Sequence, residues 1–178
     1  MSRYIFALNV PEPASGKIRA LMDRVAKITG LEAPYRTRPP YITLFPPVEA
    51  EEEDIQRIAK HLARNLPPMS FTTDEIHPFG KKYLSLQPKV PLALAEQWIS
   101  ACKIIREVPG YVRGRYEGEN TLHITLARHT SSIFDKAYPR IKRLRVEPIE
   151  FIATLLVVYK EDQDGNWKCV GSFYMTGI

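Results

Sequence analysis

His123-Ile124-Thr125-Leu126-Ala127-Arg128 is the stretch on which the reading of this chain turns. Successive side chains of a β-strand leave opposite faces, so Ile124 and Leu126 share one face while His123 and Thr125 share the other. The apolar pair can pack under helices and leave an imidazole and a hydroxyl side by side on an accessible face. Earlier in the chain, Tyr41-Ile42-Thr43-Leu44 repeats the pattern with one letter changed. Tyr41 and Thr43 then share a face in the same way.

The elements around the two tetrapeptides repeat as well. Arg3–Val10 is mostly apolar and predicts a first strand buried on both faces, closed by Asn9 and Pro11, rather than a signal peptide. Ser15 is positioned to cap a helix with Ile18, Leu21, Met22, Val25 and Ile28 on one face, and Gly30 to end it. The first motif strand, Tyr41–Phe45, is expected to stop at Pro46-Pro47. A helix carrying Ile55, Ile58, Ala59 and Leu62 follows, its first turn holding Glu51–Asp54, where carboxylates complement the helix dipole. Strands at Ser70–Ile76 and Tyr83–Pro88 complete the first half.

The second half repeats the order. A helix from Pro91 to about Val108 precedes the strand Thr121–Ala127. A helix capped by Ser131 or Ser132 and shortened by Pro139 comes next, then strands Glu150–Tyr159 and Trp167–Met175 joined through Asp164-Gly165 as a hairpin. The expected architecture is α+β: one bilobal domain over 1–178, with pseudo-twofold duplicated lobes of mostly antiparallel sheet, helices on the outer faces and a central cleft. The duplicated units fall at about 14–88 and 91–176, with strand 3–10 completing a sheet.

Composition narrows the chemistry. A chain of 178 residues can bury a real core. Its net charge of +5 suits a phosphate-bearing ligand but is common among proteins that bind none. The apolar run Phe151–Val158 is too short to cross a membrane. Cys102 and Cys169 form no CxxC unit, and His61, His77, His123 and His129 show no metal-ligand spacing, so reduced thiols in a cytoplasmic protein and no metal or cofactor are expected. Gly80-Lys81-Lys82 lacks the remaining letters of a Walker loop, and no RNP1-like aromatic strand marks an RNA-binding sheet.

The opening strand Tyr4-Ile5-Phe6-Ala7-Leu8, the two tetrapeptides, Phe79-Gly80 before a strand and the final hairpin together resemble the 2H phosphoesterases, the superfamily of 2′-5′ RNA ligase-like proteins and cyclic nucleotide phosphodiesterases. The resemblance implies two facing His-x-Thr/Ser motifs, one histidine acting as base and the other as acid on a 2′,3′-cyclic phosphate or a 2′-5′ phosphodiester, without a metal. It implies an RNA end or a small phosphorylated nucleotide as partner. His123, Thr125, Tyr41 and Thr43 are the expected catalytic set. Thr43, Thr125, Arg128 and Lys81 are the expected phosphate or substrate contacts, while Arg36, Arg38 and Lys82 are candidate phosphate or base neighbours for which solvated surface is the favoured reading.

Tyr41 stands where the family's first histidine belongs. A phenol of pKa ~10 is ionised in about one molecule in a thousand at neutral pH, so it can donate a hydrogen bond or line the cleft but is a poor base. Losing one proton-transfer group costs roughly 10²–10⁴ in rate. An impaired enzyme and a nucleotide or RNA-end binding protein are both compatible with that change. His77 lies in the loop between two expected strands, and nothing in the sequence brings it to the cleft.

Overall fold

In the computed structural model, residues 2–30, 38–79, 83–89, 96, 99–100, 103, 122–128 and 131–177 are described. The strands are β1 (Ser2–Asn9), β2 (Tyr41–Ala50), β3 (Met69–Phe79), β4 (Tyr83–Lys89), β5 (Ile124–Arg128), β6 (Ile149–Ala153), β7 (Leu155–Glu161) and β8 (Trp167–Tyr174). Among the described residues, the helices seen over their whole length are α1 (Ala14–Thr29), α2 (Glu52–Asn65) and α3 (Ser131–Ile141), and Glu96, Ile99, Ser100 and Lys103 are helical as well. Most of the helix expected from Pro91, with its inward residues Leu94, Trp98, Ala101, Cys102 and Ile105, lies outside the described residues.

Two four-stranded antiparallel sheets form, one in the order β2-β1-β7-β8 and the other in the order β5-β4-β3-β6. The motif strands β2 and β5 occupy matching edges. Each sheet draws two strands from either half of the chain: β7 and β8 complete the first, β5 and β6 join β3 and β4 in the second.

One core serves both sheets. Tyr4, Phe6 and Leu8 of β1 pack with Ile18, Leu21 and Val25 of α1, Ile55 and Leu62 of α2, and Leu84, Leu86, Ile124 and Leu126 of the second sheet. The apolar stripes of α1 and α2 are the ones their helical spacing predicts. The opposite face of the first sheet carries a smaller buried cluster of Ile5, Ala7, Val157 and Tyr159.

Four local expectations change. Ser15 does not cap α1: the helix begins one residue earlier, Pro13 is the capping position, and the Glu12 carboxylate accepts the Gly16 N–H instead (3.0 Å). β2 runs on through Pro46-Pro47, because it is an edge strand and the prolines fall beside a register shift, two places where a missing N–H is tolerated. β3 extends to Phe79 and so takes His77 and Pro78 out of the loop; β6 pairs only with Met69–Thr73, so β3 has an unpaired side at Pro78. The predicted strand Glu150–Tyr159 is two strands, β6 and β7, which change sheets at Thr154. Asn9 Oδ1 accepts the N–H groups of Thr154 (2.9 Å) and Leu155 (2.8 Å), and Thr154 O accepts the Met175 N–H (2.9 Å), so the crossover's backbone is satisfied.

Gly30 ends α1 at φ 72 with its N–H on Ala26 O, as expected. The β7–β8 hairpin turns at Gly165 (φ 78), with the Asp162 carboxylate accepting the N–H groups of Asp164 and Asn166. α3 contains Pro139 and ends two residues beyond it.

Candidate functional site

The two motif strands meet. Thr43 and His123 stand opposite each other in an isolated antiparallel bridge, the Thr43 N–H donating to His123 O at 3.2 Å. Residues directly opposed across antiparallel strands send their side chains to the same face. Burial follows the alternation: Ile42, Leu44, Ile124 and Leu126 are buried, while Tyr41, Thr43, His123 and Thr125 are half-buried. One continuous surface therefore crosses from the first sheet to the second through this bridge, on the face turned away from the shared core.

Both motif strands bulge at the same letter. On β2, Thr43 pairs with Ala7 but Phe45 with the adjacent Phe6, so Leu44 is the extra residue. On β5, Thr125 pairs with Ser85 but Ala127 with the adjacent Leu84, so Leu126 is the extra residue. A bulge reverses the alternation beyond it. Leu126 and Ala127 are consequently both buried, and Arg128 emerges on the Thr125 face opposite Tyr83, its guanidinium 5.8 Å from the ring centre. Strict alternation would have sent Arg128 to the core side. The matching bulges are a structural mark of the duplication that a repeat of four letters could not give.

Tyr41 is engaged in an aromatic pair. Its ring centre lies 4.9 Å from that of Tyr159, tilted by 32°. Burial pushes the Tyr159 hydroxyl up to about 12, with Cys169 adding to the effect and Arg38 opposing it. Tyr159 is thus a neutral donor at any ordinary pH. Beside it a cavity of about 850 Å³ opens on the first sheet, lined by Arg38, Tyr159, Trp167, Lys168 and Cys169 among others. Arg38 is half-buried there, against the expectation of a solvated side chain. Sequence reasoning also passed over Tyr159 and Trp167. No local pattern marks them, because it is the pairing of β7 and β8 with β1, far away in sequence, that brings them to this cavity.

Nearby cations are partly neutralised. Arg3 meets Glu161 (2.6 Å), Lys160 meets Glu52 (2.8 Å) and Lys168 meets Asp162 (3.2 Å). Lys160 holds the Glu52 carboxyl below its ordinary range, so this first-turn residue of α2 also ties the helix to β7. Lys81 and Lys82, Arg36 and His129 lie outside the described residues. Among the described residues no cluster of three or more His, Cys, Asp or Glu could hold a metal ion, and no helix is long and apolar enough to cross a membrane.

Paired edge strands on an α+β frame, each ending a sheet with a threonine beside a larger polar side chain, form one two-motif seam. Residues 8–165 match the 2′-5′ RNA ligase superfamily, and the chain belongs to it. Solved structures share the architecture at low identity. The Escherichia coli protein LigT complexed with 3′-AMP is 16% identical over 98% of both chains with a TM-score of 0.69. The protein TT0787 of Thermus thermophilus is 20% identical over 98% of both chains, with a TM-score of 0.61. Usb1 of Kluyveromyces marxianus is 13% identical over 94% of this chain and 96% of its own, with a TM-score of 0.55. No curated protein matches the sequence.

Proposed function

We propose that this chain binds a 2′,3′-cyclic phosphate or a 2′-5′ phosphodiester of a nucleotide or RNA end at the junction of its two motif strands, and turns it over without a metal at a reduced rate. The Thr43–His123 bridge carries this reading, because it sets two hydroxyls and an imidazole on one face at the seam of two sheets. Thr43 and Thr125 donate to the phosphoryl oxygens, and Arg128, brought to the same face by the bulge, neutralises charge. His123 transfers the proton. Tyr41 acts as wall and donor. Lys81 is a further phosphate contact in this reading, and the chain works in the cytoplasm. One protein of the same fold, Escherichia coli LigT, is solved in complexes with 3′-AMP, ATP and NADP+, in keeping with a nucleotide-sized site.

The test is turnover of nucleoside 2′,3′-cyclic phosphates and short 2′-5′ oligonucleotides in EDTA, with His123→Ala as control. Loss of turnover by roughly 10²–10⁴ in the variant supports the assignment. Turnover that survives His123→Ala, or that needs a divalent ion, refutes it. One observation favours a second reading, a binding protein without chemistry: the Tyr41 ring is packed on Tyr159 in the position of an acid-base residue. Tight nucleotide binding with no turnover, and turnover appearing in Tyr41→His, would identify that case.

A further inference from the structure

The motif row of the second sheet continues past Thr125. Ser85 stands opposite Thr125, and His77 stands opposite Ser85, so three side chains in line across β5, β4 and β3 leave on the same face. Glu75 lies two residues back on β3, and His77 Nε2 is 2.9 Å from its carboxylate. The His77 side chain is 39% exposed, open enough to meet a ligand. Ser85 between them is a short, buried side chain whose Oγ donates to His77 O, so it ties the backbone of β3 to that of β4 at this point of the row. Two strand spacings put His77 roughly 10 Å from Thr125. That is too far to touch the same phosphate and about right for the next sugar. The corresponding place in the first sheet, across Ala7 from Thr43, is Val157.

The chemistry of the pair selects its partner. A carboxylate only accepts, so Nε2–H donates to Glu75, and an imidazole carrying only that proton offers Nδ1 as an acceptor beside the carboxylate oxygens. Adjacent acceptors suit two hydroxyls and repel an anion. We infer that His77 and Glu75 recognise the vicinal hydroxyls of the ribose on the far side of the scissile linkage, so that the site favours a linked nucleotide over one lacking that second ribose. The inference rests on the phosphate assignment above.

Calorimetric binding of three probes separates the two: adenosine 2′-monophosphate, 2′-5′-linked diadenosine monophosphate, and that dinucleotide with a 2′,3′-dideoxy terminal ribose. The wild type is expected to bind the full dinucleotide about tenfold more tightly than the dideoxy form, the worth of one or two hydrogen bonds. In His77→Ala that difference disappears, while affinity for adenosine 2′-monophosphate stays unchanged; Glu75→Gln reduces the difference. Equal wild-type affinity for both dinucleotides overturns the inference, as does an equal loss on all three probes in His77→Ala. If His123→Ala weakens every probe while His77→Ala weakens none, the phosphate site stands and the ribose assignment falls. If the wild type binds none of the three, both fall.

Discussion

At the scale of single residues, the chemistry proposed for the site turns on what stands beside each motif threonine. Restoring the second imidazole with Tyr41→His is expected to raise turnover of a cyclic nucleotide by about 10², as the general-acid and general-base contributions of such groups imply. Steady-state kinetics on the two proteins would check it, and unchanged or lower turnover would show that Tyr41 is already optimal. Tyr159 makes a separate prediction. Its folded pKa of about 12 exceeds an ordinary phenol's value near 10, so the unfolded chain loses this proton first. The stability it contributes is full below pH ~10 and is lost as pH rises from there towards 12. A tyrosinate absorbance titration should show one late-ionising phenol, absent in Tyr159→Phe, and that variant's stability should fall less steeply above pH ~10. The identities of His123, Thr125, Tyr41 and Thr43 were legible as a set because alternation assigns a face to each letter. Arg38 and Tyr159 were not, since what brings them together is a cavity between segments far apart in sequence.

At the scale of elements, local patterns revealed which segments would be helix or strand and failed where tertiary pairing decided the matter. The run from Phe151 to Val158, apolar but for Thr154, gives little hint of a break there, because the exposed Ile152 of β6 is as apolar as the buried residues of β7. The break depends on the side chain of Asn9, well over a hundred positions away. Asn9→Ala leaves the Thr154 and Leu155 N–H groups without that acceptor and is expected to cost about 2 kcal/mol. Equilibrium urea unfolding would measure it; a change within a few tenths would mean solvent satisfies the crossover. The bulges were equally hidden. Pro46-Pro47 reads as a stop signal, yet an edge strand beside a bulge accepts both residues. Deleting Leu126 should leave a regular strand in which Ala127 alone faces Leu84 and Arg128 stays opposite Tyr83, so the expected cost is that of losing one buried leucine side chain, roughly 2–5 kcal/mol by the same unfolding measurement.

At the scale of the molecule, the duplicated halves do not build separate sheets. A break in the segment between β4 and β5 would leave β1–β4 on one fragment and β5–β8 on the other, each with two strands of either sheet. Two-stranded pieces are marginal in water. Neither fragment is expected to show cooperative thermal unfolding alone, and an equimolar mixture is expected to regain it, as near-ultraviolet circular dichroism would report. A fragment that folds unaided would contradict this picture. The repeat itself was visible in the order of elements, but the exchange of strands was not, since nothing local distinguishes β7 from a partner of β6.

That exchange bears on how the first motif could change its leading residue. Because β1 and β2 form half of a sheet that β7 and β8 complete, the first copy cannot be discarded without dismantling the frame that carries His123. Its backbone is held by architectural demand, whereas the side chain at position 41 is half-buried on the outer face, packed on Tyr159 and outside the shared core. The molecule is therefore free to drift in chemistry at one end of its seam while its scaffolding stays fixed, and Tyr41 on an intact motif strand is what such a division of constraint leaves behind.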